Sequence, residues 1–205
     1  MAKRTPKQAR GAAGQHDWAK QMRFDMEYAK HQLLTTGSIT PMFVVHCDDQ
    51  IIPCVTDMGE KDKIRRMVTL ICLAHRATGV TFIGEAWVTR ASKDDDLKPG
   101  ESWTDWEART VPPSQSERRI EAVAVMTRYY DDAGERTGLA EIREIIRDAT
   151  GKPTGLGEPE FPRDSEGMGP THEILPPSRA TPQQQDIAKQ LMEFAGIKPA
   201  PVRSQ

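Results

Sequence analysis

The amino-acid sequence predicts an α+β domain whose antiparallel sheet of four or five strands is covered on one face by a helix at residues 60 to 78. Three observations lead to this prediction. Segments of alternating apolar and polar residues, typical of strands, occupy much of the middle of the chain. Short turn-forming stretches separate several of them, as in antiparallel hairpins. One clearly amphipathic helical segment lies among them, and such a helix can cover a sheet face.

The N-terminal part of the predicted domain is an amphipathic helix from about residue 17 to residue 34, packed beside the covering helix. Its apolar side chains recur at three- and four-residue spacing. They are Trp18, Met22, Met26, Ala29 and Leu33. Gly37 follows in a position that suits the left-handed residue after a helix.

The first predicted hairpin follows this helix. Two short apolar runs, residues 42 to 47 and 51 to 55, flank the turn-forming Asp48 and Asp49. Pro53 has no N–H to donate to a strand neighbour, so the second strand is expected to be short or at an edge.

The covering helix and the longer strands come next. Ile64, Val68 and Ile71 trace one face of the helix, and Gly79 is expected to end it. Alternation then predicts strands at residues 80 to 89 and 120 to 130. The segment from Gly138 to Asp148 fits strand and helix spacing equally well. The turn-forming residues before it favour a strand.

Composition changes mark the boundaries of the domain. The predicted order is a disordered basic tail at 1–15, the α+β domain at 16–148, a Pro/Gly-rich linker at 149–180, a short amphipathic helix at 181–196 and a disordered tail at 197–205. The linker and the tails lack apolar periodicity, so they are expected to contribute no sheet or core.

The C-terminal helix has clear boundary signals. Thr181 suits the N-cap, Pro182 the first turn and Gln184 the return bond of a capping box. Its apolar stripe consists of Ile187, Leu191 and Phe194. This helix either docks onto a partner protein or folds back onto its own domain.

The segment at 90–118 is too long for an ordinary connection inside a domain. Trp103 and Trp106 lie within it. Exposed tryptophans on a connecting segment indicate packing or binding, so we expect both residues to contact a partner.

Composition excludes several functions. The formal net charge is -2, so no overall field attracts nucleic acid. A basic cluster in the N-terminal tail, formed by Lys3, Arg4, Lys7 and Arg10, gives only a weak nucleic-acid signal. No apolar run is long enough to span a bilayer and no secretory signal is present, so we expect a cytoplasmic protein without membrane contact.

The sequence contains no strong cofactor or metal motif, and we expect neither group. Cys47, Cys54 and Cys72 form no paired framework and are expected to be small buried hydrophobes. His46 could approach two of these cysteines across the first hairpin. Strand alternation places His46 and Cys47 on opposite faces, which argues against a shared metal.

Glu85 and Glu121 are the only catalytic candidates. Each is a lone carboxylate among apolar residues of a predicted strand. They could hold a divalent cation or divide acid and base roles between them. The alternative is that both lie on the solvated face of the sheet and pair with Arg90, Arg118 or Arg119, and we prefer it because neither strand supplies the lysine that a nuclease would need.

The stretches "GEAWVTR" and "PPSQSERRIEAVAV" resemble segments of a group of uncharacterised bacterial and phage-encoded proteins. In that group a strand with Glu-Ala-Trp precedes a variable loop, and a Pro-Ser…Arg-x-Glu entry opens the next strand. The group has no known activity, so the resemblance implies no catalytic residue. It implies that the loop ends form one cluster. Its members would be Glu85, Trp87, Pro113, Ser114, Arg118 and Glu121.

The sequence therefore favours a non-enzymatic protein-interaction or accessory module of a prokaryotic or phage system. Its contacts would be a protein partner or a second copy of the chain. The alternative is a metal-dependent hydrolase or nuclease that uses Glu85 and Glu121.

Overall fold

The computed structural model describes residues 16–55, 59–89, 115–117, 119–161, 171 and 173–199, and the backbone of 58, 202 and 203. Apart from a 3-10 turn at Met58–Glu60, its regular elements in chain order are α1 (Trp18–Thr36), β1 (Met42–His46), β2 (Gln50–Val55), α2 (Lys61–Ala74), β3 (Gly79–Thr89), β4 (Arg119–Tyr130), β5 (Arg136–Arg147), β6 (Pro153–Leu156), α3 (Pro182–Phe194) and β7 (Val202–Arg203).

The strands form one sheet in the order β6-β5-β4-β3-β1-β2-β7. Every neighbouring pair is antiparallel, which confirms the α+β class and the antiparallel sheet. The sheet has more strands than predicted because β6 and the two-residue β7 come from segments expected to be linker and tail. Both are short edge strands, and β6 begins with Pro153 and contains Gly155, residues that weaken any strand signal.

Helices cover both faces of the sheet, whereas the sequence predicted one covering helix. Met26 and Leu33 of α1 pack on one face against Ile83. Val68 of α2 packs on the other face against Phe82. The central strands are apolar on both sides, so each face requires a cover.

Trp18 of α1 packs against Gly79, the first residue of β3. A Cβ there would lie 2.8 Å from the Arg128 carbonyl oxygen and would overlap the Trp18 ring. The expected helix stop at Gly79 is therefore wrong. α2 ends at Ala74, and Gly79 provides the space into which Trp18 packs.

We predict that Gly79→Ala lowers the free energy of unfolding by about 2 kcal/mol, because the added methyl group forces Trp18 or the β4 backbone to move. Gly155→Ala is the matched control, since a Cβ at Gly155 has nothing within 4 Å. Urea denaturation compares the two variants. Equal stability of the two would contradict the packing of Trp18 on Gly79.

α3 folds back onto its own chain. Ala188 and Met192 are buried in the cluster that α2 forms with the sheet. The segment before α3 is also held in place. The Tyr130 hydroxyl donates to the Pro176 carbonyl at 2.6 Å, and Arg136 donates to the Leu175 carbonyl at 2.9 Å. Part of the predicted linker is thus packed against the domain.

The cysteines are free: Cys54 and Cys72 are buried, and Cys47 is half-buried. Burial raises the pKa of Cys54 to about 11, and burial with the nearby Asp49 and Asp48 raises the pKa of Cys47 to about 12. These thiols are therefore protonated at neutral pH. Among the described helices, none combines the length and the apolar character needed to cross a bilayer.

Candidate functional site

Glu85 and Glu121 lie on neighbouring strands and on the sheet face that α1 covers. Glu85 is opposite Val123, and Glu121 is opposite Trp87. Because side chains alternate along each strand, both carboxylates point to the same face. Their carboxyl groups are close enough for Glu85 to contribute to the environment of Glu121.

Arg147, on β5, binds Glu121 through both arms of its guanidinium. Its Nε donates to one Glu121 oxygen at 2.7 Å and its Nη2 to the other at 2.8 Å. Nη1 donates to the Gly151 carbonyl at 2.9 Å. Glu85 in turn accepts the backbone N–H of Ile39 at 2.5 Å. The strands and the connection between α1 and β1 thus hold the two carboxylates in a fixed polar cluster.

The electrostatics of this cluster are those of an ion pair. The hydrogen bonds from Arg147 lower the pKa of Glu121, and burial opposes this shift. The charge of Arg147 and the interaction with Glu85 lower the pKa of Glu121 further. A carboxylate whose two oxygens are bound by a guanidinium is a poor base and a poor metal ligand. Within the described part of the chain, no three His, Cys, Asp or Glu side chains are grouped so that they could hold a metal ion.

Arg147 was not among the three arginines that the sequence suggested. Arg90 and Arg118 lie outside the described residues. The guanidinium of Arg119 lies 4.9 Å from the centroid of the Trp87 ring, a cation-π contact. Arg147 is 26 residues from Glu121 in sequence. Only the register of β4 with β5 brings them together, so local spacing could not reveal the pair.

Trp87 is 47% exposed at the end of β3. It leads directly into the segment at 90–118. The other predicted members of this region lie outside the described residues. They are Trp103, Trp106, Pro113, Ser114 and Arg118. The basic residues of the N-terminal tail, Lys3, Arg4, Lys7 and Arg10, also lie outside the described residues.

We predict that Arg147→Gln lowers the free energy of unfolding by about 1 kcal/mol at pH 7, because a two-armed, half-buried ion pair is lost. The folded-state pKa of Glu121 lies below that of the unfolded chain. The contribution is therefore present above the unfolded pKa and disappears as the pH falls through the folded one. Urea denaturation at pH 7 and pH 3 measures it.

Lys152→Gln is the control for this variant, because it removes an exposed positive charge from the same turn region. A loss that is as large at pH 3 as at pH 7 would contradict the ion-pair explanation. It would indicate that Arg147 acts through packing alone.

A second polar cluster lies between α1 and the sheet, around His46. Its Nε2 is 3.1 Å from the Thr81 hydroxyl, which is 3.0 Å from the Thr127 hydroxyl. Trp18 packs edge-on against the imidazole, with ring centroids 5.2 Å apart. Cys47, as alternation predicts, packs against the cluster on the other face. His46 is therefore a buried structural histidine with no cysteine on its own face.

Asp25 is a buried carboxylic acid on the inner side of α1, and the sequence did not single it out. One carboxyl oxygen accepts a hydrogen bond from Gln21 at 2.9 Å, and the other is buried without a hydrogen-bond partner. Burial raises the pKa of Asp25 to about 6, against the opposing effect of the Gln21 hydrogen bond.

The surface of α3 carries an exposed apolar stripe. We call Ile187, Leu191 and Phe194 the outer stripe. Their exposed fractions are 50%, 48% and 93%. The inner side of the same helix is buried through Ala188 and Met192. The three residues singled out by the sequence thus line an exposed edge of α3 next to its buried side, and Ile187 and Leu191 are only about half exposed.

Comparisons with protein-family models, with curated proteins and with solved structures found no match.

Proposed function

We propose that this protein is a non-enzymatic interaction module that docks onto a protein partner through the outer stripe of α3. The observation that carries the proposal is the exposure of Ile187, Leu191 and Phe194 along one line of a helix whose neighbouring side is anchored in the core. The resemblance to bacterial and phage-encoded proteins favours an accessory role in a prokaryotic or phage system.

A contiguous stripe carries more weight than scattered apolar residues. Single exposed leucines are normal on a protein surface and need no explanation. Three apolar residues at i, i+4 and i+7 form the pattern by which helices and grooves recognise each other. Phe194 supports this most strongly, since an aromatic ring that is 93% exposed leaves a large apolar area in water.

The helix is also held in one conformation before any partner binds. Thr181 and Gln184 form a reciprocal capping box, and Pro182 occupies the first turn. Gly196, with φ of 68°, follows the helix in the left-handed conformation. A pre-ordered docking element loses less entropy on binding than a flexible one.

The hydrolase or nuclease alternative has weaker support. It requires Glu85 and Glu121 to be available to a metal ion or a substrate. Both oxygens of Glu121 are occupied by Arg147, and one oxygen of Glu85 is occupied by the Ile39 N–H. The cluster is suited to joining β3, β4 and β5.

Photocrosslinking in cells tests the docking proposal. A benzoylphenylalanine replaces Leu191 in one variant and Lys189, on the charged side of α3, in the control. We expect irradiation to yield a discrete adduct from position 191 and none from position 189. Absence of an adduct at 191, or the same adducts from both positions, would overturn the proposal.

A further inference from the structure

We infer that the side of the domain that α2 covers contains a peptide-binding site, and that residues 173–179 of the same chain occupy it as a built-in ligand. We call these residues the anchor segment. Its centre is Ile174, Leu175 and Pro176. The site therefore takes a peptide with two adjacent large aliphatic residues followed by proline. The inference goes beyond the docking proposed for α3, because it concerns a different surface.

The two aliphatic side chains of the anchor segment are its most buried part. Ile174 and Leu175 are both 0% exposed. The segment is neither helix nor strand, and both side chains belong to the apolar cluster that α2 forms with the sheet. Successive side chains of a strand point to opposite sides, so an irregular backbone is needed to place both in one cluster. Fully desolvated anchors of this kind provide most of the affinity of a bound segment.

Side chains of the domain bind the backbone of the anchor segment. The Leu175 carbonyl accepts a hydrogen bond from Arg136 at 2.9 Å, and the Pro176 carbonyl accepts one from the Tyr130 hydroxyl at 2.6 Å. Burial raises the pKa of Tyr130 to about 12, so the phenol keeps its proton at neutral pH. Pro176 and Pro177 have no N–H with which to join a strand ladder. Aromatic residues also line the sites that recognise proline-containing peptides in other proteins.

Ion pairs hold the two ends of the anchor segment. Glu173 pairs with Arg65 of α2. Arg179 pairs with Asp48, in the turn between β1 and β2, at 3.3 Å. These pairs are partly exposed, so they contribute little affinity. Their opposite signs at the two ends fix the direction in which the segment lies. Buried anchors with a polar rim are the arrangement of a ligand in its site.

Peptide binding by a chain without its own anchors tests the inference. Ile174→Ala/Leu175→Ala in the full chain removes both aliphatic side chains from the site. A fluorescent peptide with the sequence of residues 171–181 should bind this double variant saturably, as measured by fluorescence anisotropy. The native chain should bind the peptide at least about tenfold more weakly, because its own segment competes at an effective concentration on the order of millimolar. The same peptide with alanine at both anchor positions should not bind either protein.

Removal of one hydroxyl group distinguishes a specific site from general apolar adhesion. In the double variant, Tyr130→Phe removes the donor to the Pro176 carbonyl. It should weaken peptide binding about fivefold. Tyr28→Phe removes a hydroxyl group from an exposed position of α1 and should leave the affinity unchanged.

A folded double variant that does not bind the peptide would overturn the inference. So would binding that is insensitive to Tyr130→Phe or to alanine at the anchor positions of the peptide. If the double variant does not fold alone, excess peptide should restore its native circular dichroism, because a ligand that binds only the folded state stabilises it. An unfolded variant that the peptide does not restore would show that the segment is an inseparable part of the core, and the inference would be rejected.

These outcomes are independent of the photocrosslinking at position 191. The crosslinking uses a chain whose anchor segment is intact, and the peptide experiment does not use the outer stripe. Loss of peptide binding with a discrete adduct at position 191 rejects the peptide site alone. Peptide binding without an adduct rejects the docking surface of α3 alone.

Discussion

Lowering the pH from 7.5 to 4.5 should cost the native protein about 3 kcal/mol through His46 alone. Burial, with the nearby His16, lowers the pKa of His46 to about 3 from the usual 6.5. Because the folded-state pKa is the lower one, the unfolded chain binds the proton more readily. The stability is complete above pH 6.5 and is lost progressively as the pH falls toward 3.

The surroundings of His46 explain the size of this effect. The imidazole is 2% exposed, and its Nδ1 is buried without a hydrogen-bond partner. Its Nε2 contacts only the neutral hydroxyl of Thr81. No carboxylate within the described part of the chain pairs with the imidazole, so a charged imidazolium there is not compensated for its loss of hydration.

His46→Gln is the variant that checks this prediction, because an amide can keep the contact with Thr81 and does not titrate. Urea denaturation at pH 7.5 and pH 4.5 gives the pH-dependent loss for each protein. The variant should lose about 3 kcal/mol less than the native protein over this range. Equal losses would show that His46 is solvated or is paired with an acid.

Asp25→Asn should raise the free energy of unfolding by about 3 kcal/mol at pH 8 and by less than about 1 kcal/mol at pH 4. The folded-state pKa of Asp25 is raised by burial to about 6 from 3.8. Above pH 6 the folded protein therefore carries a buried charge that the unfolded chain keeps in water. As the pH falls through 6 toward 3.8, the folded state takes up the proton and the cost disappears.

Glu27→Gln is the control for Asp25→Asn, since it removes one negative charge from an exposed position of the same helix. Guanidinium chloride would screen the charges, so urea is the better denaturant. If Asp25→Asn destabilised the protein equally at both pH values, the carboxyl would have a partner in the native state and its burial would not be costly.

Local features of the fold could be predicted from the sequence because short-range chemistry decides them. Thr181 and Gln184 form the expected capping box, and Gly37 ends α1 in the left-handed conformation. The turn-forming residues before Gly138 correctly favoured a strand, since β5 covers that segment. Each of these patterns lies within a few residues.

Features that depend on long-range packing could not be predicted. The two-sided sheet follows from α1 docking on the face of Ile83, and the Arg147 partner of Glu121 follows from the register of β5. The outer stripe is an intermediate case. Its apolar spacing was visible, but only the packing of Ala188 and Met192 in the core determines that the stripe stays exposed.

Oxidative footprinting of Phe194 in cells measures whether a partner covers the outer stripe of α3. The ring is 93% exposed in the isolated chain, and Phe24 on α1, 68% exposed, provides an internal reference. We expect Phe194 to react faster than Phe24 in dilute purified protein and to be protected in cells, while Phe24 reacts equally in both. If Phe194 reacted as fast in cells as in dilute solution, no partner would cover the outer stripe, and docking through α3 would be contradicted.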